Sequence, residues 1–130
     1  MRRASLLTAL LPALGLLLAA GTARAADNIV LGVPTALGTI EGQDSLRAAQ
    51  LAVKEINEQG GVQVGAVKRK LEIVSIDTRE AEAGVPVTDA LAAMEKLITE
   101  KKPAAIVVGA FRSEVLVSAM DMIAKVKIPY

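Results

Sequence analysis

The chain lacks cysteine, histidine and tryptophan, and its 130 residues include one phenylalanine and one tyrosine. Without cysteine there is no disulfide and no thiol nucleophile, and without histidine there is no imidazole general base. The two absences together also exclude zinc sites built from cysteine and histidine. The folded chain must therefore derive its stability from its core alone, and no metal site is predicted.

The first 25 residues have the pattern of an export signal. Arg2 and Arg3 give a basic start, residues 6–20 form an apolar stretch, and residues 23–25 read Ala-Arg-Ala, an A-x-A cleavage site. The apolar stretch is shorter than the ~20 residues that a membrane-spanning helix needs. We therefore predict a signal peptide over residues 1–25 and an exported mature chain.

The charge balance of the mature chain argues against nucleic acid as a partner. Removal of Arg2, Arg3 and Arg24 lowers the basic residues from 15 to 12, against 14 acidic residues, so the net charge changes from +1 to −2. The basic runs at residues 68–70 and 101–102 are too short to track a phosphate backbone. The chain also lacks the G-x-G-x-x-G and Gly-Lys-Ser/Thr patterns that cradle phosphates, so we predict neither a nucleic-acid partner nor a nucleotide cofactor.

Short apolar runs alternate with amphipathic stretches along the mature chain. The runs typical of strands lie at residues 29–34, 71–76 and 104–108. Helical periodicity covers residues 42–59, 87–98 and 113–124, with an apolar stripe in the first helix formed by Leu46, Ala49, Val53 and Ile56. Residues 62–70 fit a small surface hairpin. This order predicts an α/β fold in which a parallel sheet carries helices on both faces.

The chain ends at residues 128–130, Ile-Pro-Tyr, where a fourth apolar strand begins. A strand cut after its first residues leaves a hydrophobic edge exposed. We therefore expect residues 26–130 to be part of a larger domain.

Ligands of open parallel sheets bind beyond the carboxyl ends of the strands. Three loops should meet there: the first loop at residues 35–42, the second loop at 77–84 and the third loop at 109–114. In the first loop Thr39 and Glu41 offer a hydroxyl and a carboxylate, although a solvated loop would carry the same residues.

The third loop is the strongest candidate for binding an anion. Ser113 opens a helix whose free N–H groups and dipole favour negative charge, and Arg112 can form a two-pronged bond to a carboxylate. The alternatives are that Ser113 only caps the helix and that Arg112 only faces water. Phe111 could wall a pocket or pack in the core. For Asp77, at the end of the second strand, a structural role is favoured over contact with a ligand.

Residues 51–62, Leu-Ala-Val-Lys-Glu-Ile-Asn-Glu-Gln-Gly-Gly-Val, together with residues 71–77 and the Ala-Ile-Val-Val-Gly run at 105–109, resemble a known family. They resemble the amino-terminal lobe of type 1 periplasmic solute-binding proteins, the group of ABC transporter receptors for branched-chain amino acids. The resemblance covers nearly all of the mature chain and identifies residues 26–130 as a partial amino-terminal lobe.

The resemblance implies a periplasmic, two-lobed protein that closes on a small solute, presents it to an ABC permease in the inner membrane and performs no chemistry. It places Ser113 where the family holds the ligand carboxylate, and Glu41 near a pocket position beside the ligand side chain. The solute implied is an amino acid or a related small carboxylate. Phe111 and Arg112 before the serine, and Glu41 in place of an aromatic, depart from the family's pattern, and the extra guanidinium of Arg112 would suit another carboxylate solute, such as an aromatic acid. A sensor domain of the same fold is the nearest alternative, and an exported α/β enzyme is a further one.

Overall fold

The computed structural model describes residues 27–130, so the predicted signal peptide lies outside the described residues. The strands are β1 (Ile29–Thr35), β2 (Val62–Val64), β3 (Val67–Arg69), β4 (Leu71–Asp77) and β5 (Ala105–Ile106). The helices are α1 (Ile40–Glu58), α2 (Val87–Lys96), continued by a π-helical turn (Leu97–Lys101), and α3 (Ser113–Val126). None of the helices in this part of the chain is long and apolar enough to cross a bilayer.

The central sheet has the strand order β4-β1-β5, and both pairings are parallel. Strand β1 pairs with β4 over its whole length, from Ile29 opposite Leu71 to Thr35 opposite Asp77. Strands β2 and β3 form a separate antiparallel hairpin. The predicted α/β fold and the predicted hairpin are both confirmed.

Helices cover both faces of the sheet. Successive side chains of a strand point to opposite faces, so Leu31 and Gly32 report on the two sides. Leu31 lines a groove with α1 residues, whereas a side chain at Gly32 would meet Leu97 and Pro103 beyond α2. Helix α1 therefore covers one face, and α2 with its π-helical turn covers the other.

The core lies on the face covered by α2 and α3. Two rows of apolar side chains at i, i+4 spacing pack together with Ile106 of β5. One row consists of Ala90, Met94 and Ile98, and the other consists of Val115, Ala119 and Ile123. Residues four apart lie on one face of a helix, which is why the periodicity of the sequence located these helices.

The apolar stripe predicted for α1 is less buried than this core. Gly42 is the only fully buried residue of α1, and Ile56 on the stripe is 36% exposed. The stripe borders an open groove of about 440 Å³ with Leu31 and Leu71. The physical reason is that α1 covers one face of a sheet of three strands, where it packs on β1 and β4.

The third predicted strand, residues 104–108, is wrong at its ends. Val108 has a left-handed backbone with φ of 59°, which an extended strand cannot contain. Residues 128–130, where a fourth strand was predicted to begin, do not form a strand in the structure. Pro129 O nevertheless accepts a hydrogen bond from Ile106 N at 2.8 Å, so this segment lies along the free edge of β5.

Candidate functional site

The three loops singled out from the sequence lie at one edge of the sheet, because β4, β1 and β5 run parallel and end on the same side. Two acidic side chains of the second loop connect it to the other two. Asp77 contacts the first loop and Glu80 contacts the third. The edge is therefore a hydrogen-bonded unit rather than three independent loops.

Asp77 fixes the first loop to the second. Its Oδ1 accepts hydrogen bonds from the backbone N–H groups of Leu37 and Arg79, each at 3.0 Å. The backbone adds a further connection, since Thr78 N donates to Thr35 O at 3.1 Å. These contacts agree with the structural role favoured for Asp77.

Glu80 fixes the second loop to the third. The residue is 1% exposed, and its Oε1 accepts from Phe111 N at 2.7 Å while its Oε2 accepts from Arg112 N at 3.1 Å. The Thr78 hydroxyl also donates to Oε1, at 3.1 Å. Buried charges persist in proteins when they are hydrogen-bonded, and this carboxylate has three donors.

The Arg112 guanidinium is held by groups of the chain itself. Its Nε donates to Glu114 Oε1 at 2.9 Å, and Nη2 contacts the same oxygen. Its Nη1 donates to the carbonyl oxygens of Glu80 at 3.2 Å and Val85 at 3.3 Å. The Arg112 guanidinium, predicted to form a two-pronged bond to a ligand carboxylate, thus contacts the carboxylate of Glu114 through Nε and Nη2.

Ser113 is the first residue of α3, and its side chain is exposed. The alternative that its side chain only caps the helix does not hold: the capping position is Arg112, without a side-chain cap, because Ser113 has already entered the helix. Val115 N and Leu116 N both donate to Arg112 O. Within residues 27–130 the Ser113 hydroxyl makes no hydrogen bond, so it can donate to a bound anion.

The first loop contributes a helix cap and an exposed carboxylate. Thr39 is the capping residue of α1: its hydroxyl accepts from Gly42 N at 3.1 Å and donates to Ala36 O at 2.9 Å. Glu41 is exposed in the first turn of α1. In the third loop Phe111 is 54% exposed, so it packs at the edge and not in the core.

Tyr130 supports the third loop from the end of the described chain. Its hydroxyl accepts a hydrogen bond from Ala110 N at 2.8 Å, and its ring lies where a side chain at Gly109 would be. Burial raises the pKa of the Tyr130 phenol above its ordinary value, an effect opposed by the Ala110 hydrogen bond. The phenol is therefore a neutral acceptor at physiological pH.

Neither Glu80 nor Tyr130 stands out in the sequence as part of this edge. Glu80 follows a strand in a polar run of four residues, Asp-Thr-Arg-Glu, and such runs are usually solvated. Its contacts to Phe111 and Arg112 join residues 31 and 32 positions apart. No local pattern distinguishes a carboxylate with such partners from an exposed one.

Two exposed ion pairs near the carboxyl edge of the sheet lower the pKa values of their glutamate side chains. The Arg79 guanidinium lowers the pKa of the Glu82 carboxyl, chiefly through a side-chain hydrogen bond. A side-chain hydrogen bond from Arg112 likewise lowers the pKa of Glu114. Across residues 27–130, no group of three or more acidic side chains is placed to hold a metal ion.

Comparison with known proteins decides the family. The model of the family described as periplasmic binding protein matches residues 30–130. The chain belongs to the periplasmic binding protein family. The resemblance found in the sequence is thereby confirmed, and with it the type 1 fold expected for this periplasmic binding protein.

Two solved structures resemble this periplasmic binding protein. One is LivJ, the branched-chain amino acid transporter substrate-binding protein of Streptococcus pneumoniae in complex with isoleucine, with a TM-score of 0.63 and 26% identity over 78% of this chain. The other is a candidate branched-chain amino acid ABC transporter protein from Silicibacter pomeroyi, with a TM-score of 0.56 and 25% identity over 73%. The matches span 27% and 23% of those two chains. A comparison with curated proteins found no match.

Proposed function

We propose that this protein captures an amino acid, or a related small carboxylate, in the periplasm and delivers it to an ABC permease in the inner membrane. Membership of the periplasmic binding protein family supports a binding role without chemistry. Two neighbours described as branched-chain amino acid transport proteins support the solute class. The export pattern of residues 1–25 supports the compartment.

One observation carries the proposal: Ser113 opens α3 at the carboxyl edge of the parallel sheet with its hydroxyl uncommitted among the described residues. The helix dipole favours negative charge at the first turn of α3, although one N–H group of that turn, Val115 N, already donates to Arg112 O at 3.0 Å. In our proposal the ligand carboxylate accepts hydrogen bonds from the Ser113 hydroxyl and from this turn.

The other residues of the edge act around that contact. The Arg112 guanidinium is engaged by Glu114, Glu80 O and Val85 O, which favours a ligand with a single carboxylate over one with two. Phe111 and Glu41 are exposed beside the edge and would contact the remainder of the ligand. Thr39 would act indirectly, because its hydroxyl is used to cap α1.

A thermal-shift screen of the protein as its gene encodes it, after export, tests the proposal. The panel contains the branched-chain amino acids, other amino acids, and small aliphatic and aromatic monocarboxylates. A ligand present at a thousand times its dissociation constant should stabilise the protein by about 4 kcal/mol. Isoleucine is the first compound to add, since LivJ binds it.

The outcomes separate the proposal from its alternatives. A shift with isoleucine or another panel member, together with loss of uptake of that solute on deletion of the gene, establishes a transport receptor. A shift without any change in uptake indicates a sensor of the same fold. No shift across the panel contradicts the proposed solute class.

A further inference from the structure

The Glu80 carboxylate is 1% exposed and accepts three hydrogen bonds, a degree of burial and bonding that a solvated loop does not require. We infer that Glu80 is a positioning residue for ligand binding: it holds the third loop so that Ser113 presents its hydroxyl at the sheet edge. The inference rests on the proposed function, because it acts through the Ser113 contact.

Two backbone donors that directly precede Ser113 bind the Glu80 carboxylate. Phe111 and Arg112 are consecutive and stand directly before Ser113, and each places its backbone N–H on a different oxygen of the same carboxylate, at 2.7 and 3.1 Å. Two hydrogen bonds to one planar carboxylate fix both the position and the orientation of the backbone from Phe111 to Arg112. Since consecutive Cα atoms are about 3.8 Å apart, fixing Arg112 keeps the Cα of Ser113 at that distance from it.

The Glu80 carboxylate is itself held by a neighbouring side chain. The Thr78 hydroxyl donates to Oε1 at 3.1 Å and thereby orients the group from the side of β4. The backbone of Glu80 adds a contact of its own, as its carbonyl oxygen accepts from Arg112 Nη1 at 3.2 Å. The third loop is thus held by the side chain and by the main chain of one residue.

The hydrogen-bond donors that Glu80 leaves unoccupied decide what a bound anion contacts. Glu80 occupies the N–H groups of Phe111 and Arg112, so an incoming anion meets the Ser113 hydroxyl and the first turn of α3. Hydrogen bonds to a charged acceptor depend steeply on geometry and are stronger than neutral ones. A small displacement of Ser113 should therefore weaken binding of a carboxylate without unfolding the protein.

The experiment compares isosteric variants of the gene-encoded protein. Glu80→Gln keeps the shape but replaces one acceptor oxygen by an NH₂ group, so either Phe111 N or Arg112 N loses its partner. Thr78→Val removes only the hydroxyl that orients the carboxylate, and it is the milder variant if Glu80→Gln folds poorly. Glu82→Gln is the matched control, because Glu82 lies in the same loop but its carboxylate pairs with Arg79.

Two quantities are measured for each variant. The first is the dissociation constant for isoleucine, determined for the variant alone and for the same variant combined with Ser113→Ala. The second is the rate of amide hydrogen exchange of residues 109–114. We expect Glu80→Gln to weaken isoleucine binding about tenfold, and to have little effect once Ser113 is alanine. Exchange in the third loop should be about tenfold faster. Thr78→Val should show the same pattern to a smaller extent, and Glu82→Gln should match the parent protein.

The two proposals fail in different ways. If the parent protein does not bind isoleucine, or if Ser113→Ala binds it unchanged, the proposed contact fails and the inference fails with it. If Ser113→Ala weakens binding but the effect of Glu80→Gln is absent, or simply adds to that of Ser113→Ala, the inference alone is overturned. Unchanged exchange of residues 109–114 in Glu80→Gln also overturns it.

Discussion

Asn57, in the last turn of α1, forms two hydrogen bonds with the backbone of Leu71, the first residue of β4. Its Nδ2 donates to Leu71 O and its Oδ1 accepts from Leu71 N, both at 2.8 Å. The Asn57 amide thus connects α1 directly to β4, although the β2–β3 hairpin lies between the two residues in sequence. It anchors α1 to the sheet at the end opposite the candidate site.

Asn57→Ala should lower the free energy of unfolding by about 2 kcal/mol, because it leaves the partly buried N–H and C=O of Leu71 without partners. Urea denaturation measures the change. Gln63→Ala is the control: Gln63 bonds to Gly65 O within the exposed hairpin, and its loss should cost less than about 0.5 kcal/mol. Equal effects of the two variants would contradict the anchoring role.

The close approach of α1 to the first loop requires glycine at position 42. A side chain there would collide with the carbonyl oxygen of Ala36. Gly42→Ala should therefore destabilise the protein by about 1 to 3 kcal/mol, as overpacking does in other cores. Gly38→Ala provides the comparison, since its added methyl would make only ordinary contact with Glu82. Equal melting temperatures of the Gly42→Ala and Gly38→Ala proteins would show that the distance between α1 and the first loop can adjust.

Much of the fold was predictable because the physical signals are local. Runs of β-branched residues marked β1 and β4 to within one residue at their ends, and i, i+4 apolar spacing marked α2 and α3. The early end of β5 was not predictable, since Val108 favours an extended backbone by its own propensity and is left-handed in the structure. The π-helical turn after α2 likewise has no local signature.

The Glu82 carboxyl should titrate below an ordinary glutamate, because a side-chain hydrogen bond from Arg79 lowers its pKa. A lowered folded-state pKa contributes stability that is present above the unfolded pKa and is lost as the pH falls through the folded pKa. Carbon-detected NMR titration of the carboxyl groups measures this. In Arg79→Gln the pKa of Glu82 should return to its ordinary value while that of Glu114 stays low; a parallel rise of both would contradict the pairing.

The Tyr130 phenol should ionise above the pKa of an ordinary tyrosine, because its partial burial raises its pKa. A raised folded-state pKa contributes stability that is complete below the unfolded pKa and is lost as the pH rises through the folded pKa. The ultraviolet difference titration between the parent protein and Tyr130→Phe isolates this group. The midpoint should fall to the ordinary value in urea, and an identical midpoint in folded and denatured protein would contradict the partial burial of the phenol.

The candidate site was predictable in location but not in its internal contacts. Strand order alone places the three loops at one edge, and Ser113 was recognisable as a residue that opens a helix. The partners of Arg112 were not, because Glu80 and Val85 lie 32 and 27 residues away along the chain. Contacts between loops depend on how the strands are registered, which no single loop encodes.

The most direct test of the account is calorimetric titration of isoleucine into the gene-encoded protein and two serine variants. Ser113→Ala removes the hydroxyl proposed to bind the ligand carboxylate, whereas Ser118→Ala alters a serine of the same helix whose hydroxyl donates to Glu114 O. We predict binding to the parent protein, about tenfold weaker binding to Ser113→Ala, and unchanged binding to Ser118→Ala. Absence of binding to the parent protein, or equal affinities of the two variants, would contradict the account.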